Sequence, residues 1–250
     1  MSTFYFALFI VYFFASSVFV YLVSLTLLPF TLLADKRRRL LHRMTSAWGH
    51  HFVKLNRGWK CRFENISKFK KNETYVIVAN HQSIADTFFL AGICRPYKWV
   101  SKESLFRLPF FGWNMHLTRY IPIKRGDASS IRRMMEQCRD WLRRGEPVFI
   151  FPEGTRSESG ELGKFRSGAF RLAVETNVPV LPVVIHGTGA ILPKHSSALK
   201  LNADVTVQVL EPVEPGKFGH DCAALKEYVR TIMKNALSEL ERNEQKVEGK

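Results

Sequence analysis

Cysteine is scarce and scattered in this chain. Cys61, Cys94, Cys138 and Cys222 are its only four, with no C-x-x-C pair among them. That spacing argues against a structural zinc site and a disulfide framework and fits a reduced compartment. Metal chemistry is equally thin: none of the eight histidines stands in an H-E-x-x-H string or a His/Cys cluster, and the adjacent His50 and His51 diverge on a helix, so no bound metal is expected. The G-x-S-x-G elbow that presents the nucleophile of many serine hydrolases does not occur. There is no internal repeat and no long low-complexity linker. Acidic residues are few, 22 against 37 lysines and arginines, for a formal net charge of +15. The surplus favours anionic partners, whether phosphates, nucleic acid or an acidic membrane surface. No zinc-finger or RRM motif accompanies it, so a nucleic-acid role rests on charge alone and none is expected.

Charge is wholly missing from the first 34 residues. One helix needs about 20 apolar residues to cross a bilayer, and FYFALFIVYFFASSVFVYLVSLTLLPFTLL, residues 4–33, exceeds that length. A cleaved signal peptide begins with a basic stretch and ends in a small-residue cleavage site. Both features are lacking, which predicts an uncleaved membrane anchor over residues 1–34. DKRRRLLHR follows at once. Basic residues on one flank of an anchor mark the cytoplasmic side and grip anionic headgroups, so the body of the chain is expected on the cytoplasmic face. A single tilted span and a shallow hairpin bent near Ser16 and Ser17 or near Pro29 both satisfy the backbone, with the single span preferred.

Residues 35–58 read as a basic juxtamembrane segment. Within it RMTSAWGHHFVKLNR alternates aromatic and basic positions at helical intervals, which suits a helix in the headgroup layer or an ordinary amphipathic helix on the core. The main domain is expected over 59–242, with 243–250 as a frayed tail. Apolar, β-branched runs at 59–63, 75–79, 119–123, 148–151, 180–185 and 205–210 predict strands, with helical patterns between several of them. The alternation predicts an α/β sheet covered by helices. The clearest helix covers 128–144, capped by Asp127 and stopped at Gly145, and a C-terminal helix is expected over 221–241.

Chemistry concentrates after two of these strands. In VANHQSIADTFF, residues 78–89, Asn80, His81 and Asp86 follow the strand at 75–79 directly, and working groups of open α/β sheets collect at such carboxyl ends. A carboxylate five residues on can fix the imidazole tautomer and leave the other ring nitrogen as a general base. The same residues also fit a helix cap and a dipole complement. In VFIFPEGTRS, residues 148–157, a second strand ends in a Pro-Glu-Gly turn followed by Thr155 and Arg156. The guanidinium offers a planar fork of donors for phosphate or carboxylate, or a local ion pair with Glu153.

Taken together, Asn80, His81 and Asp86 match the NHxxxxD motif, and residues 151–157 the FPEGTRS motif, of the glycerolipid acyltransferases; the chain most closely resembles the lysophosphatidic acid acyltransferases. Between them SKESLFRLPFFGW and YIPIKRGD resemble two further blocks of the family, and VPVLPVVI resembles a fourth. Pro122 and Lys124 depart from the pattern, where an aromatic and an acidic residue are common, while Arg125 keeps the matching place. The resemblance implies a mixed, largely parallel sheet flanked by helices with an N-terminal membrane-anchoring helical segment. It also implies transfer of a fatty acyl group from acyl-CoA or acyl carrier protein to the sn-2 hydroxyl of lysophosphatidic acid, giving phosphatidic acid. In that scheme His81 and Asp86 are catalytic without an acyl-enzyme, Arg125 and Arg156 hold the acceptor phosphate, and Glu153, Gly154 and Thr155 shape the loop and line the acceptor site. Lys102 faces the oxyanion and Asn80 orients its loop. No cofactor is implied beyond the thioester co-substrate; the partners are membrane lipids, the lysophospholipid and the acyl donor. Two other readings stay open: a different acceptor, such as a lyso-ornithine lipid or lysophosphatidylglycerol, and a membrane-tethered lipid-binding protein without catalysis.

Overall fold

The computed structural model of the chain describes residues 2–157, 161–192 and 199–248. Seven strands are found among them: β1 (Trp59–Glu64), β2 (Val76–Ala79), β3 (Lys98–Lys102), β4 (Ile121–Ile123), β5 (Val148–Ile150), β6 (Val180–His186) and β7 (Ala203–Val209). They form one sheet in the order β1-β7-β6-β2-β5-β3-β4. Every pairing is parallel except β6 with β7, so the expected mixed, largely parallel sheet is what the chain builds.

The period-two alternation of the strands gives the sheet two buried faces. Ile77, Ala79 and Phe149 point to one, beside Val53, Phe89 and Met115. Val76, Val78 and Val148 point to the other, beside Met134, Phe170 and Val229. The first face is covered by α2 (Arg39–Leu55), α3 (Asp86–Leu90), α4 (Glu103–Phe106) and α5 (Phe111–Leu117), the second by α6 (Ala128–Arg143), α7 (Gly168–Thr176) and α8 (Cys222–Glu248). Helices on both faces are what a parallel sheet needs, since neither face is left for water. Asp127 caps α6 as expected, its carboxylate accepting from the Ser130 N–H at 2.8 Å, and Gly145 takes the left-handed conformation beyond its end, at φ 71°.

Two elements differ from the sequence reading. β3 was not foreseen, because Lys98 and Lys102 at its ends interrupt any apolar pattern; Lys98 is nevertheless buried, donating to the carbonyls of Arg37 at 2.6 Å and Thr118 at 2.9 Å. The C-terminal helix continues past residue 241 to Glu248, and Glu244 in that extension meets His186 Nε2 at 2.7 Å, which ties it to the end of β6.

The N-terminal run is one unbroken helix, α1 (Ser2–Ala34), long and apolar enough to cross a membrane. At 1.5 Å per residue it is about 50 Å long. Ser16 and Ser17 do not bend it into a hairpin; their hydroxyls donate back to the carbonyls of Phe13 and Phe14. α1 is also stitched to the body by polar groups. Ser24 donates to Asn114 on α5 at 2.5 Å, Asn114 donates to Thr45 on α2 at 2.9 Å, and the Trp48 indole donates to Ser16 at 3.1 Å. α2 in turn buries Leu41, His42, Phe52 and Val53 against the domain and leaves Arg43 and Lys54 exposed.

Candidate active site

The site starts where β2 ends. The Asn80 side chain accepts from the Ile185 N–H at 2.9 Å and donates to the Ile185 carbonyl at 2.8 Å. It thereby continues the β2–β6 ladder with an amide and turns the backbone out of the sheet. His81 comes next, and its Nδ1 lies 2.7 Å from Asp86 Oδ2. The ring stacks on Phe151 at the end of β5, with centroids 4.0 Å apart and planes 15° from parallel. Packing on one side and a bonded nitrogen on the other fix the imidazole plane. Asp86 is fully buried, and its Oδ2 also accepts from the backbone N–H groups of Gln82 at 2.8 Å and Ser83 at 3.0 Å. The helix-cap reading of His81 does not hold: α3 is preceded by Ala85 with no side-chain cap.

The β5 loop grips the histidine from its other flank. Glu153 accepts from the His81 N–H at 2.9 Å with one oxygen and from the Gly163 N–H at 3.0 Å with the other. The Ser157 N–H donates to the His81 carbonyl at 2.8 Å. Burial raises the Glu153 carboxyl above its ordinary value, against the lowering effect of these two backbone donors. The ion pair with Arg156 that the sequence left open is absent among the described residues; Glu153 ties loops together instead. Gly154 stands at φ 73°, in the left-handed region that favours glycine.

A cavity of about 800 Å³ opens beside His81 and straddles the carboxyl edge of the sheet. On the face of α2 and α3 its walls are apolar, including Trp48, Phe88, Leu105 and Phe111, and α1 contributes Ile10, Phe13 and Phe14. Lys102 and Arg125 lie on its rim, at the ends of β3 and β4, and Gly154 and Arg166 close the side next to the β5 loop. Arg125 is lowered from its ordinary value first by partial burial and then by the positive charges of Arg166 and Arg156. Three guanidinium groups therefore share one neighbourhood. Thr155 and Arg156 belong to the same turn but do not line the cavity; Thr155 is exposed and Arg156 half-buried.

The sequence-derived residues thus divide into two groups. Asn80, His81, Asp86, Glu153 and Gly154 are knitted together, while Lys102, Arg125 and Arg156 supply positive charge around them. Two residues were missed. Arg166 lines the cavity; the signal for it is a basic residue between the β5 loop and the start of α7, where strand-end groups converge. Thr188, fully buried, donates to Asp86 Oδ1 at 2.5 Å. Its signal is a hydroxyl between two glycines directly after an apolar strand.

The family model described as Acyltransferase matches residues 60–186. The chain is 34% identical over 204 residues to the chloroplastic 1-acyl-sn-glycerol-3-phosphate acyltransferase BAT2 of Brassica napus, covering 81% of this chain and 59% of that protein. It is 42% identical over 120 residues to the 1-acyl-sn-glycerol-3-phosphate acyltransferase of Pseudomonas aeruginosa, covering 48% of this chain and 46% of that one. The chain therefore spans between roughly half and three fifths of the length of these two relatives. Its structure is similar to the crystal structure of the 1-acyl-sn-glycerophosphate (LPA) acyltransferase PlsC from Thermotoga maritima, with a TM-score of 0.78 at 26% identity, over 96% of this chain and 94% of that one.

Proposed function

The chain belongs to the acyltransferase family, and on that premise we propose that it moves a fatty acyl group from a thioester onto the sn-2 hydroxyl of lysophosphatidic acid, giving phosphatidic acid. The observation that carries this reading is the 2.7 Å contact between His81 Nδ1 and Asp86 Oδ2 beside a cavity with a cationic rim. With Nδ1–H donated to the carboxylate, Nε2 is the free base. It takes the hydroxyl proton as the oxygen attacks the thioester carbonyl carbon. The resulting tetrahedral oxyanion collapses with cleavage of the C–S bond, and the proton passes to the departing thiolate. No bond to the enzyme forms at any stage. The oxyanion is assigned to Lys102, which lines the cavity at the end of β3.

The phosphate of the acceptor is assigned to Arg125 and Arg156, with Arg166 beside them, because three guanidinium groups crowded together are relieved by a dianion. Glu153, Gly154 and Thr155 hold the turn that brings these groups near His81, and Asn80 sets the direction in which the chain leaves β2. The apolar walls suit a fatty acyl chain. Because α1 supplies part of that wall, the helix suited to lipid also borders the site, and a lysolipid held in the bilayer has a short path to it. The basic stretch after α1 places the body on the cytoplasmic face in this reading. Acyl-CoA and acyl carrier protein are both compatible donors.

The test is to incubate purified protein with a panel of lysolipids and both thioester donors and to identify the products by mass. Phosphatidic acid is the expected product, with little from acceptors that lack a phosphate monoester. Equal turnover of a zwitterionic lysolipid, or no acylated lipid at all, would overturn the assignment.

A further inference from the structure

We infer that Thr188 is a positioning residue: its hydroxyl pins Asp86 from the side away from His81, so that the loop after β6 takes part in aligning the base. The inference rests on the reading of His81 as the base. An aspartate carboxylate turns about a broad, roughly two-fold torsion, so one bonded oxygen does not fix its plane. Asp86 Oδ2 is held by His81 Nδ1, the Gln82 N–H and the Ser83 N–H, and Oδ1 accepts from Thr188 Oγ1 at 2.5 Å. Donors on both oxygens lock the plane and with it the direction in which Oδ2 meets the imidazole. Thr188 and Asp86 are both fully buried, so water does not replace the hydroxyl.

The backbone is built to deliver that hydroxyl. β6 lies parallel to β2 as its direct neighbour, so the two strands release their loops at the same edge. Gly187 takes φ 92°, and a Cβ there would approach the Asp204 carbonyl oxygen to 2.1 Å. Glycine therefore makes the turn that brings Thr188 back over the end of β2. A second stitch joins the same two loops, the Ser83 hydroxyl donating to the Leu192 carbonyl at 3.0 Å. The Thr188 hydroxyl is also 3.4 Å from Gln82 Oε1, far longer than its bond to Asp86.

Thr188→Val keeps the shape and removes the donor; Thr188→Ser keeps the donor and removes the methyl group. Acyl transfer is measured with acyl-CoA and lysophosphatidic acid at saturating and limiting concentrations, alongside thermal unfolding of each variant. Misalignment of a catalytic group costs about 10- to 100-fold in rate, so T188V is expected to lose that much in kcat with KM for both substrates little changed, while T188S returns to within about 3-fold of the unaltered protein. T188V at unaltered kcat, or T188S as slow as T188V, would overturn the inference. If T188V does not fold, Thr188→Ala replaces it, since T188A and T188S both lack the methyl group and differ in the hydroxyl. H81A, run in parallel, separates the two levels: a well-folded H81A that still turns over removes the premise, whereas an inactive H81A beside a fully active T188V removes only the role of Thr188.

Discussion

The two edges of the sheet carry two polar clusters that look alike and differ in what lies beside them. At the carboxyl edge His81 meets the buried Asp86, with Glu153 behind and three arginines near the rim. At the amino edge Lys98 and the buried Glu146 lie near one another, and Glu146 is bound through both oxygens to Arg39 Nε at 3.1 and 2.9 Å, with Arg37 at 3.8 Å. Lys98 also sits over the Trp141 ring, 4.7 Å from its centroid. Each cluster has a buried carboxylate and a nitrogen base. Only the first adjoins the cavity: neither Lys98 nor Glu146 lines it. The amino-edge groups instead fasten the turn between α1 and α2 to the body of the domain, through Arg37 and Arg39 on one side and Lys98 and Glu146 on the other. Burial of an ionisable pair therefore does not mark a reactive site; a binding group with room for a substrate beside it does.

Breaking the carboxyl edge is expected to cost activity and breaking the amino edge to cost stability. The largest effect belongs to His81→Ala. General-base catalysis is worth roughly 100- to 10,000-fold, and H81A should lose that much in kcat with its unfolding temperature nearly unchanged. Next come Arg125→Ala and Arg166→Ala. None of Arg125, Arg156 and Arg166 forms an ion pair with a described carboxylate, as the proposed phosphate contact requires. One charge-assisted hydrogen bond contributes about 1.5–3 kcal/mol, which corresponds to a KM for the lysolipid raised about 10- to 100-fold at similar kcat. A KM unchanged in both variants would move the phosphate away from this cluster.

Glu146→Gln is the counterpart at the other edge. Removing one member of a buried pair costs about 3–5 kcal/mol, but Arg39 is more than a third exposed and solvent screens that gain, so about 1–2 kcal/mol is expected. E146Q should melt a few degrees lower and transfer acyl groups at an unaltered kcat. A large fall in kcat without a fall in melting temperature would join the two edges functionally and break the contrast.

The carboxyl edge was far more legible in the sequence than the amino edge. His81 and Asp86 stand five residues apart, and their meeting needs only the short turn before α3, so local spacing carried it. The FPEGTRS turn likewise brings its own geometry, although Glu153 bonds to the His81 and Gly163 backbones rather than to Arg156, a choice that depends on β2 and β5 being neighbours. Thr188 and Arg166 reach the site only because β6 flanks β2 and because α7 starts beside the β5 loop, and neither fact is written in any short window. β3 failed for the same reason. Lys98 at its start contradicts an apolar strand unless Thr118, Arg37 and Trp141 surround it, and those partners come from distant parts of the chain. The end of α8 was read as frayed because its residues are charged, and His186 on β6 is what engages that end.

Lys98 supplies the finest test of the contrast, because its effect is one of slope rather than level. Burial, its largest influence, pulls the ammonium down from 10.5 to about 7, in spite of the opposing charge of Glu146. Between those two values the unfolded chain holds a proton that the folded chain has released. Stability rises with pH wherever the unfolded state binds more protons, so this group should make the protein more resistant to heat as pH increases from about 7 toward 10. That is the reverse of a lysine stabilised by a salt bridge, whose contribution would fade as pH climbed. Lys98→Met removes the titration while keeping most of the apolar stem, so melting curves of K98M recorded from pH 7 to 9 should lose the upward slope seen in the unaltered chain, whatever their absolute position. An equal slope in both proteins would mean that Lys98 keeps its charge in the folded state, balanced by Glu146, and the amino edge would then resemble the His81–Asp86 pair in charge as well as in arrangement.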